Sequence, residues 1–257
     1  MSNQSNLSNL SNLRSMTRRG FLRASGLAVS GVALTACSFR PPVPVANSAT
    51  VVGETEAPIT NSDDALNRLM AGNQRYVGNK STTINESEAR RVEVSKGQHP
   101  FATIFSCVDS RVPPELLFDR GLGDLFVIRT AGHVIDSAVL GSLEYGVAEL
   151  KIPLLVVMGH EKCGAVKATI ELTEKKEAAP SDINWLVEGI RPAVEKSEHD
   201  GASGDALLGG AIKTNVALTV ERLKATPILS EAVRNGTLKI VGALYHLESG
   251  VVEVTVA

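Results

Sequence analysis

His160 and Cys163 stand three residues apart in the segment G-H-E-K-C-G, directly after the apolar run Leu154–Met158. A second cysteine, Cys107, lies far upstream in C-V-D-S-R-V, with Asp109 and Arg111 at alternate positions behind it. Two thiolates and one imidazole make a good tetrahedral zinc site with its fourth position open. Calcium and magnesium prefer oxygen ligands, so this donor set argues against them. Side chains two residues apart in an extended segment leave the same face, so Arg111 can hold the Asp109 carboxylate ionised in a fixed geometry. Zinc with an open position beside such a carboxylate is equipment for activating water. A Cys107–Cys163 disulfide is the rival reading, and it leaves His160, Asp109 and Arg111 unexplained.

The fold has to bring these residues together. The stretches 101–108, 125–131, 153–160 and 239–247 are short apolar runs that read as buried strands. Ser249–Gly250 then turns the chain into V-V-E-V-T-V (251–256), an antiparallel edge strand. Helical spacing marks 62–78, 134–150, 164–176, 182–198 and 205–225, while 79–97 is polar loop or surface helix. Strands alternating with helices predict an α/β fold. It is a central, mostly parallel sheet (four parallel strands plus an antiparallel edge strand) flanked by helices, with an N-terminal helical arm. Ligands of open parallel sheets collect beyond the carboxyl ends of the strands. Cys107 ends the first strand, His160 ends the third and Cys163 opens the next helix, so the three can converge.

Before this domain the chain changes character. Residues 2–13 are a polar repeat of Ser, Asn and Leu, and Met16 offers an alternative start. From Thr17 the chain reads T-R-R-G-F-L-R, followed by the apolar run Ala24–Ala36, too short to span a bilayer comfortably. This pattern resembles a twin-arginine (Tat) export signal. L-T-A-C, ending on Cys37, resembles a lipoprotein box, with plain cleavage near Ala46–Ala49 as the alternative. Residues 1–49 thus read as signal and Pro-rich tether, and 62–257 as the folded domain. The expected location is the periplasm or cell envelope after Tat export, with the membrane reached only through a lipid on Cys37. The Tat route carries folded proteins, so metal can be inserted in the reducing cytoplasm first. A formal net charge of −2 and only 4% aromatic residues exclude a nucleic-acid partner.

C-V-D-S-R-V followed by G-H-E-K-C-G-A resembles the β-class carbonic anhydrases, whose pattern is C-x-D-x-R and then H-x-x-C. The flanks are similar too, from G-Q-H-P-F (97–101) through L-G-S-L-E-Y-G-V (140–147) to the ending V-G-A-L-Y-H-L-E-S-G-V-V-E-V. The resemblance covers 62 to the C-terminus. It implies reversible hydration of carbon dioxide to bicarbonate and a proton by zinc-bound hydroxide, with one Zn2+ per chain on Cys107, His160 and Cys163. It implies that Asp109, paired with Arg111, accepts a proton from the water on zinc and orients the hydroxide. Gln98, Phe126, Ala131 and Tyr145 match positions that line the substrate pocket, partly across a subunit interface. The Gly164 N–H, at a helix N-terminus, would polarise a substrate oxygen. Core packing is the alternative for Gln98, Phe126, Ala131 and Tyr145, and the strongest one for Phe126 and Ala131.

The same resemblance implies a homodimer or tetramer, with the helix 62–78 embracing its partner. Thr130 and His133 replace two asparagines of many relatives, which puts local hydrogen bonding in question. His99 and His133 are proton-shuttle candidates by residue type alone, against the blander reading of surface histidines without a role. Ile104 stands where bicarbonate-regulated members carry tryptophan, implying the form in which Asp109 stays on Arg111. Hydrolysis of CS2 or COS is the alternative activity on this scaffold. A non-catalytic zinc- or bicarbonate-binding module is the alternative of another class, and the intact Asp109, Arg111 and Gln98 speak against it.

Overall fold

In the computed structural model of the protein, residues 59–257 are described. The expected export signal, tether and lipid-bearing Cys37 lie outside these residues. Each apolar run becomes a strand: β1 (Ala102–Cys107), β2 (Leu125–Thr130), β3 (Leu154–His160), β4 (Lys239–Tyr245) and β5 (Val252–Val256). They form one sheet in the order β2-β1-β3-β4-β5, parallel except for the antiparallel β4–β5 pair. β1 and β3 are buried at every residue. A strand covered on both faces needs apolar side chains on both, which is why these runs are continuous rather than alternating.

Alternate residues sort into two layers. Ala102, Ile104, Leu154, Val156 and Met158 pack with Ala65 and Leu69 of α1 (Ser62–Val77). Phe105, Leu155 and Val157 face the other way, onto α4 (Ser137–Ala148), α7 (Asp205–Lys224) and α8 (Pro227–Arg234). α5 (Gly164–Lys175) and α6 (Ile183–His199) complete that second layer with α7 around a smaller cluster containing Cys107 and Cys163. Burying each large apolar side chain contributes about 1.5–3 kcal/mol.

The expected elements recur with shifted ends, the surface-helix reading of 79–97 is realised in part, and two short α-helices, Pro114–Leu117 and α8, are additional. α2 (Glu88–Val94) lies within the polar stretch 79–97, and α3 (Pro114–Leu117) follows the Asp109–Arg111 segment. α8 went unread, although Thr226–Pro227 is a sound start signal, with proline at the first helical turn.

α1 is anchored to its own domain along one face. Asn61 caps it, accepting from the N–H groups of Asp63 and Asp64, both at 2.9 Å. Its apolar stripe packs on its own sheet, with Ala65 and Leu69 fully buried within this one chain. Gly72 makes the close approach possible: a Cβ there would lie 1.8 Å from the Phe118 carbonyl oxygen. Asn73 then stitches the helix to α3 and to the turn before β5. Its amide donates to the carbonyls of Leu117 (3.0 Å) and Gly250 (2.9 Å), and its oxygen accepts from the Val252 N–H (2.9 Å). Asn73→Ala leaves these buried groups without their partner. We predict a loss of about 3–4 kcal/mol, the low end for three orphaned buried groups at about 1–3 each. Thermal unfolding reads it as a Tm lower by roughly 5–15 °C.

The topology prepares the site. The chain passes from β1 outward to β2 and then crosses to β3 on the opposite side of β1. The strand order therefore reverses between β1 and β3, and a crevice opens beyond their carboxyl ends. Cys107 ends one of these strands and His160 ends the other.

Candidate metal centre

Cys107, His160 and Cys163 converge in that crevice, with one ligand atom from each lying within 4.8 Å of the others. All three are buried, at 4%, 0% and 3% exposure. Both cysteines are free. The His160 ring is already committed to one tautomer. Its Nδ1 lies 2.9 Å from the Glu161 carbonyl oxygen, which only accepts, so Nδ1 carries the proton. Nε2 is left with a lone pair, buried and without a hydrogen-bond partner. A buried acceptor left unpaired calls for an explanation, and beside two cysteine sulfurs it is a ligand atom that could hold a cation.

The sulfurs complete the fit. The Cys163 thiol donates to the Cys107 sulfur, which holds Cys107 well below the ordinary thiol range and pushes Cys163 up. The Gly132 N–H also points at the Cys107 sulfur, at 3.3 Å. The N–H groups of Ala165 and Val166, in the first turn of α5, favour the charged form of Cys163. A dication that displaces the shared proton gains two thiolates and an imidazole, a set suited to zinc.

Asp109 and Arg111 form the expected pair at the rim. Arg111 donates from Nε to Oδ1 (2.9 Å) and from Nη2 to Oδ2 (2.8 Å), and its backbone N–H adds a third bond to Oδ1 (3.0 Å). The guanidinium hydrogen bond holds the Asp109 carboxyl well below the usual carboxylate range. Asp109 Oδ2 lies 3.9 Å from His160 Nε2, so the carboxylate borders the space between the three ligands.

The other expected site residues divide into two groups. Ala131 directly follows Thr130, the strand partner of Cys107, and Gly164 directly follows Cys163, so both sit beside the cluster. Gln98 precedes β1, and Phe126 pairs with Thr103 low on the sheet. β1 is about 17 Å long at 3.3 Å per residue, so these two lie toward its other end from Cys107. Tyr145 goes with Phe126, their rings 6.4 Å apart. The structure does not bring Gln98, Phe126 or Tyr145 to the cluster of their own chain. A cleft of about 760 Å³ lies at the far end of the sheet, against Lys151, Pro153 and Thr237, and touches none of the site residues.

Several supporting residues escaped the sequence reading. Arg129 donates to the carbonyls of Cys107 (2.8 Å) and Asp109 (2.7 Å), fixing the segment that carries ligand and carboxylate together. Asn215 of α7 donates to the Gly132 carbonyl (3.0 Å) and lies 3.0 Å from His133 Nε2. Thr130 Oγ1 donates to the Val134 carbonyl at 2.8 Å. Thr130 and Asn215 thus supply the local hydrogen bonds that the missing asparagines had put in question. His133 is no surface histidine: it is 3% exposed, and burial pushes its pKa down to about 4, so its ring is neutral at pH 7. Only the arginine in R-T-A-G-H offered a signal; nothing near Asn215 pointed to a site that distant in sequence.

Comparison with known proteins agrees with this geometry. Residues 102–252 match the carbonic anhydrase family model. Carbonic anhydrase 2 of Mycobacterium tuberculosis is 42% identical over 194 residues, which cover 75% of this chain and 92% of that protein. The carbonic anhydrase of Mycolicibacterium smegmatis is 42% identical over 197 residues, 76% of this chain and 94% of its own. Among solved structures, a Coccomyxa β-carbonic anhydrase in complex with acetazolamide superposes with a TM-score of 0.59 at 29% identity, covering 74% of this chain and 82% of its own. The family match runs from β1 to the start of β5 and contains Cys107, Asp109, Arg111, His160 and Cys163. With a buried Cys/His/Cys cluster that could hold a metal at the topological switch point and relatives of this identity, the chain belongs to the carbonic anhydrase family, in its β class.

Proposed function

We propose that this protein catalyses the reversible hydration of carbon dioxide to bicarbonate and a proton, with one zinc ion held by Cys107, His160 and Cys163. The observation that carries the reading is the unpaired, buried His160 Nε2 facing two cysteine sulfurs, with the Asp109 carboxylate 3.9 Å away. Zinc in such a site is a Lewis acid that makes water acidic enough to supply hydroxide near neutral pH.

The chain's own residues do the rest. Asp109, kept ionised by Arg111, can only accept hydrogen bonds. A water in the crevice must therefore turn its O–H toward Oδ2, which leaves an oxygen lone pair for the carbon of the substrate. Arg129 prevents Asp109 from drifting, because it grips the backbone on either side of Val108. The Gly164 N–H, at the start of α5, is the group nearest to hand for a substrate oxygen that gains charge. Gln98, Phe126 and Tyr145 serve the pocket of a second copy of the chain, which their distance from their own cluster supports. Tyr145 is 49% exposed and β2 is a half-buried edge strand, a surface open to such pairing. The working state is thus a homodimer, or a tetramer built from dimers.

Residues 1–49 serve as a Tat-type signal and tether, and Cys37 accepts lipid, so the domain 62–257 works in the periplasm or cell envelope. Changing Arg18 and Arg19 to lysine is expected to keep the protein in the cytoplasm, and Cys37→Ser to release it from membranes. Cell fractionation reads both.

Elemental analysis and stopped-flow carbon dioxide hydration test the central reading. We expect one zinc per chain and hydration well above the buffer background. A zinc-loaded protein without hydration, or full hydration by zinc-free protein, overturns it.

A further inference from the structure

The turn that carries two of the three ligands is under strain. It runs from His160, the last residue of β3, through Glu161 and Lys162 to Cys163, which precedes α5. Lys162 sits at φ 53°, in the left-handed region that residues with a Cβ avoid. Such a conformation costs about 1–2 kcal/mol and persists only where its surroundings over-determine it.

Glu161 supplies that surrounding with every polar atom it has. Its N–H donates to the Tyr245 carbonyl at 3.0 Å, docking the turn on the end of β4. Its carbonyl accepts from His160 Nδ1 at 2.9 Å, the bond that leaves Nε2 free for a cation. One carboxylate oxygen, Oε1, lies 2.9 Å from His246 Nδ1, and Oε2 accepts from the Leu247 N–H at 3.1 Å. His246 is braced from behind, its Nε2 lying 3.2 Å from Glu253 Oε2 on β5. The carboxylate of Glu161, and then that of Glu253, favours the charged imidazolium.

We propose that the Glu161–His246 pair is a clamp that positions the metal-binding turn, holding the His160 ring and Cys163 at ligand distance before a cation arrives. Glu161 and His246 are positioning residues, since neither reaches the ligand cluster. The idea rests on the reading of Cys107, His160 and Cys163 as a zinc site. A purely structural role is a poor account of the pair. Its side chains are 40% and 30% exposed, and an ion pair that exposed adds at most about 1 kcal/mol to global stability. The outer-shell partner of His160 is the Glu161 backbone carbonyl, and losing such a partner costs about 10–100-fold in metal affinity. A side-chain pair that fixes this carbonyl thus acts on the metal beyond its share of global stability.

The test loads full-length protein with zinc and follows its release into excess chelator, with thermal unfolding alongside. Glu161→Ala and His246→Ala are each expected to release zinc about 10-fold faster or more. The double variant should be no faster than the faster single, because both break one clamp. Glu253→Gln should stay within about twofold, and Tm should move by only about 2–4 °C in all of them. Cobalt(II) in place of zinc should show altered thiolate-to-metal absorption in the two alanine variants. His246 is a partly exposed side chain past the end of β4, so its variant keeps the test available if Glu161→Ala does not fold. Zinc release within about twofold of the parent in His246→Ala, or effects of the two substitutions that multiply, overturns the clamp. A parent that binds no zinc overturns the metal site and the clamp together.

Discussion

Cys163→Ser is expected to strip the protein of zinc and abolish carbon dioxide hydration while leaving the domain folded. The serine hydroxyl does not ionise near neutral pH, so the site loses one of its two anionic donors. Zinc affinity should fall by roughly three orders of magnitude or more, given how much of structural zinc binding rests on deprotonated thiols. The fold should survive for a local reason. Cys163 occupies the position before α5, where serine is a preferred cap, and the N–H groups of Ala165 and Val166 are already close to its sulfur. The substitution thus separates metal binding from folding. Zinc content after dialysis against chelator, stopped-flow hydration and circular dichroism decide the matter together. A variant that keeps one zinc and parental activity removes Cys163 from the ligand set.

Asp109→Asn should do the reverse, keeping zinc and losing hydration by about 10²–10³-fold, the range expected when one oriented proton acceptor is removed. Asparagine matches aspartate in size, and its oxygen can still face Arg111. Its NH2 then points where Oδ2 stood, 3.9 Å from His160 Nε2. A donor replaces an acceptor there, and a water in the crevice turns its lone pair toward residue 109 instead of toward the substrate. Zinc content should stay at the parental value, since Asp109 is tied to Arg111 rather than to the ligand cluster. The pH profile adds a check. Arg111 holds the folded-state pKa of Asp109 below its unfolded value, so the pair contributes stability above that unfolded value and loses it only as pH falls through the folded one. No change of activity between pH 6 and 9 should therefore trace to Asp109 in the parent. Near-parental hydration by the variant, or loss of its zinc, defeats the role given to this carboxylate.

The sequence by itself determined the donor set and the main strands and helices. Cys107, His160 and Cys163 are a donor set that few ions satisfy, and residue type is readable without coordinates. β1, β3 and β4 were legible because a strand covered on both faces must be apolar throughout, and such runs stand out against polar connections. Asp109 and Arg111 were legible as a pair because their contact is local, set by the two-residue period of extended chain. α1 was legible as a helix but not in its direction of packing, because its stripe of Ala65 and Leu69 suits any apolar surface.

Tertiary structure decided everything that depends on which strands are neighbours. Only the order β2-β1-β3-β4-β5 puts the end of β1 beside the end of β3, and so Cys107 beside His160. The same order sets Tyr245 and His246 against the turn that follows β3, where Glu161 meets them. It also places Gln98 and Phe126 toward the end of the sheet away from their own cluster, so the sequence could match them to a pocket without showing whose pocket it is. The supporting bonds from Gly132, Arg129 and Asn215 were hidden for a related reason. A backbone N–H aimed at sulfur, or an amide reaching from another helix, leaves no mark on residue type. Its position is set by long-range packing, which a local pattern does not encode.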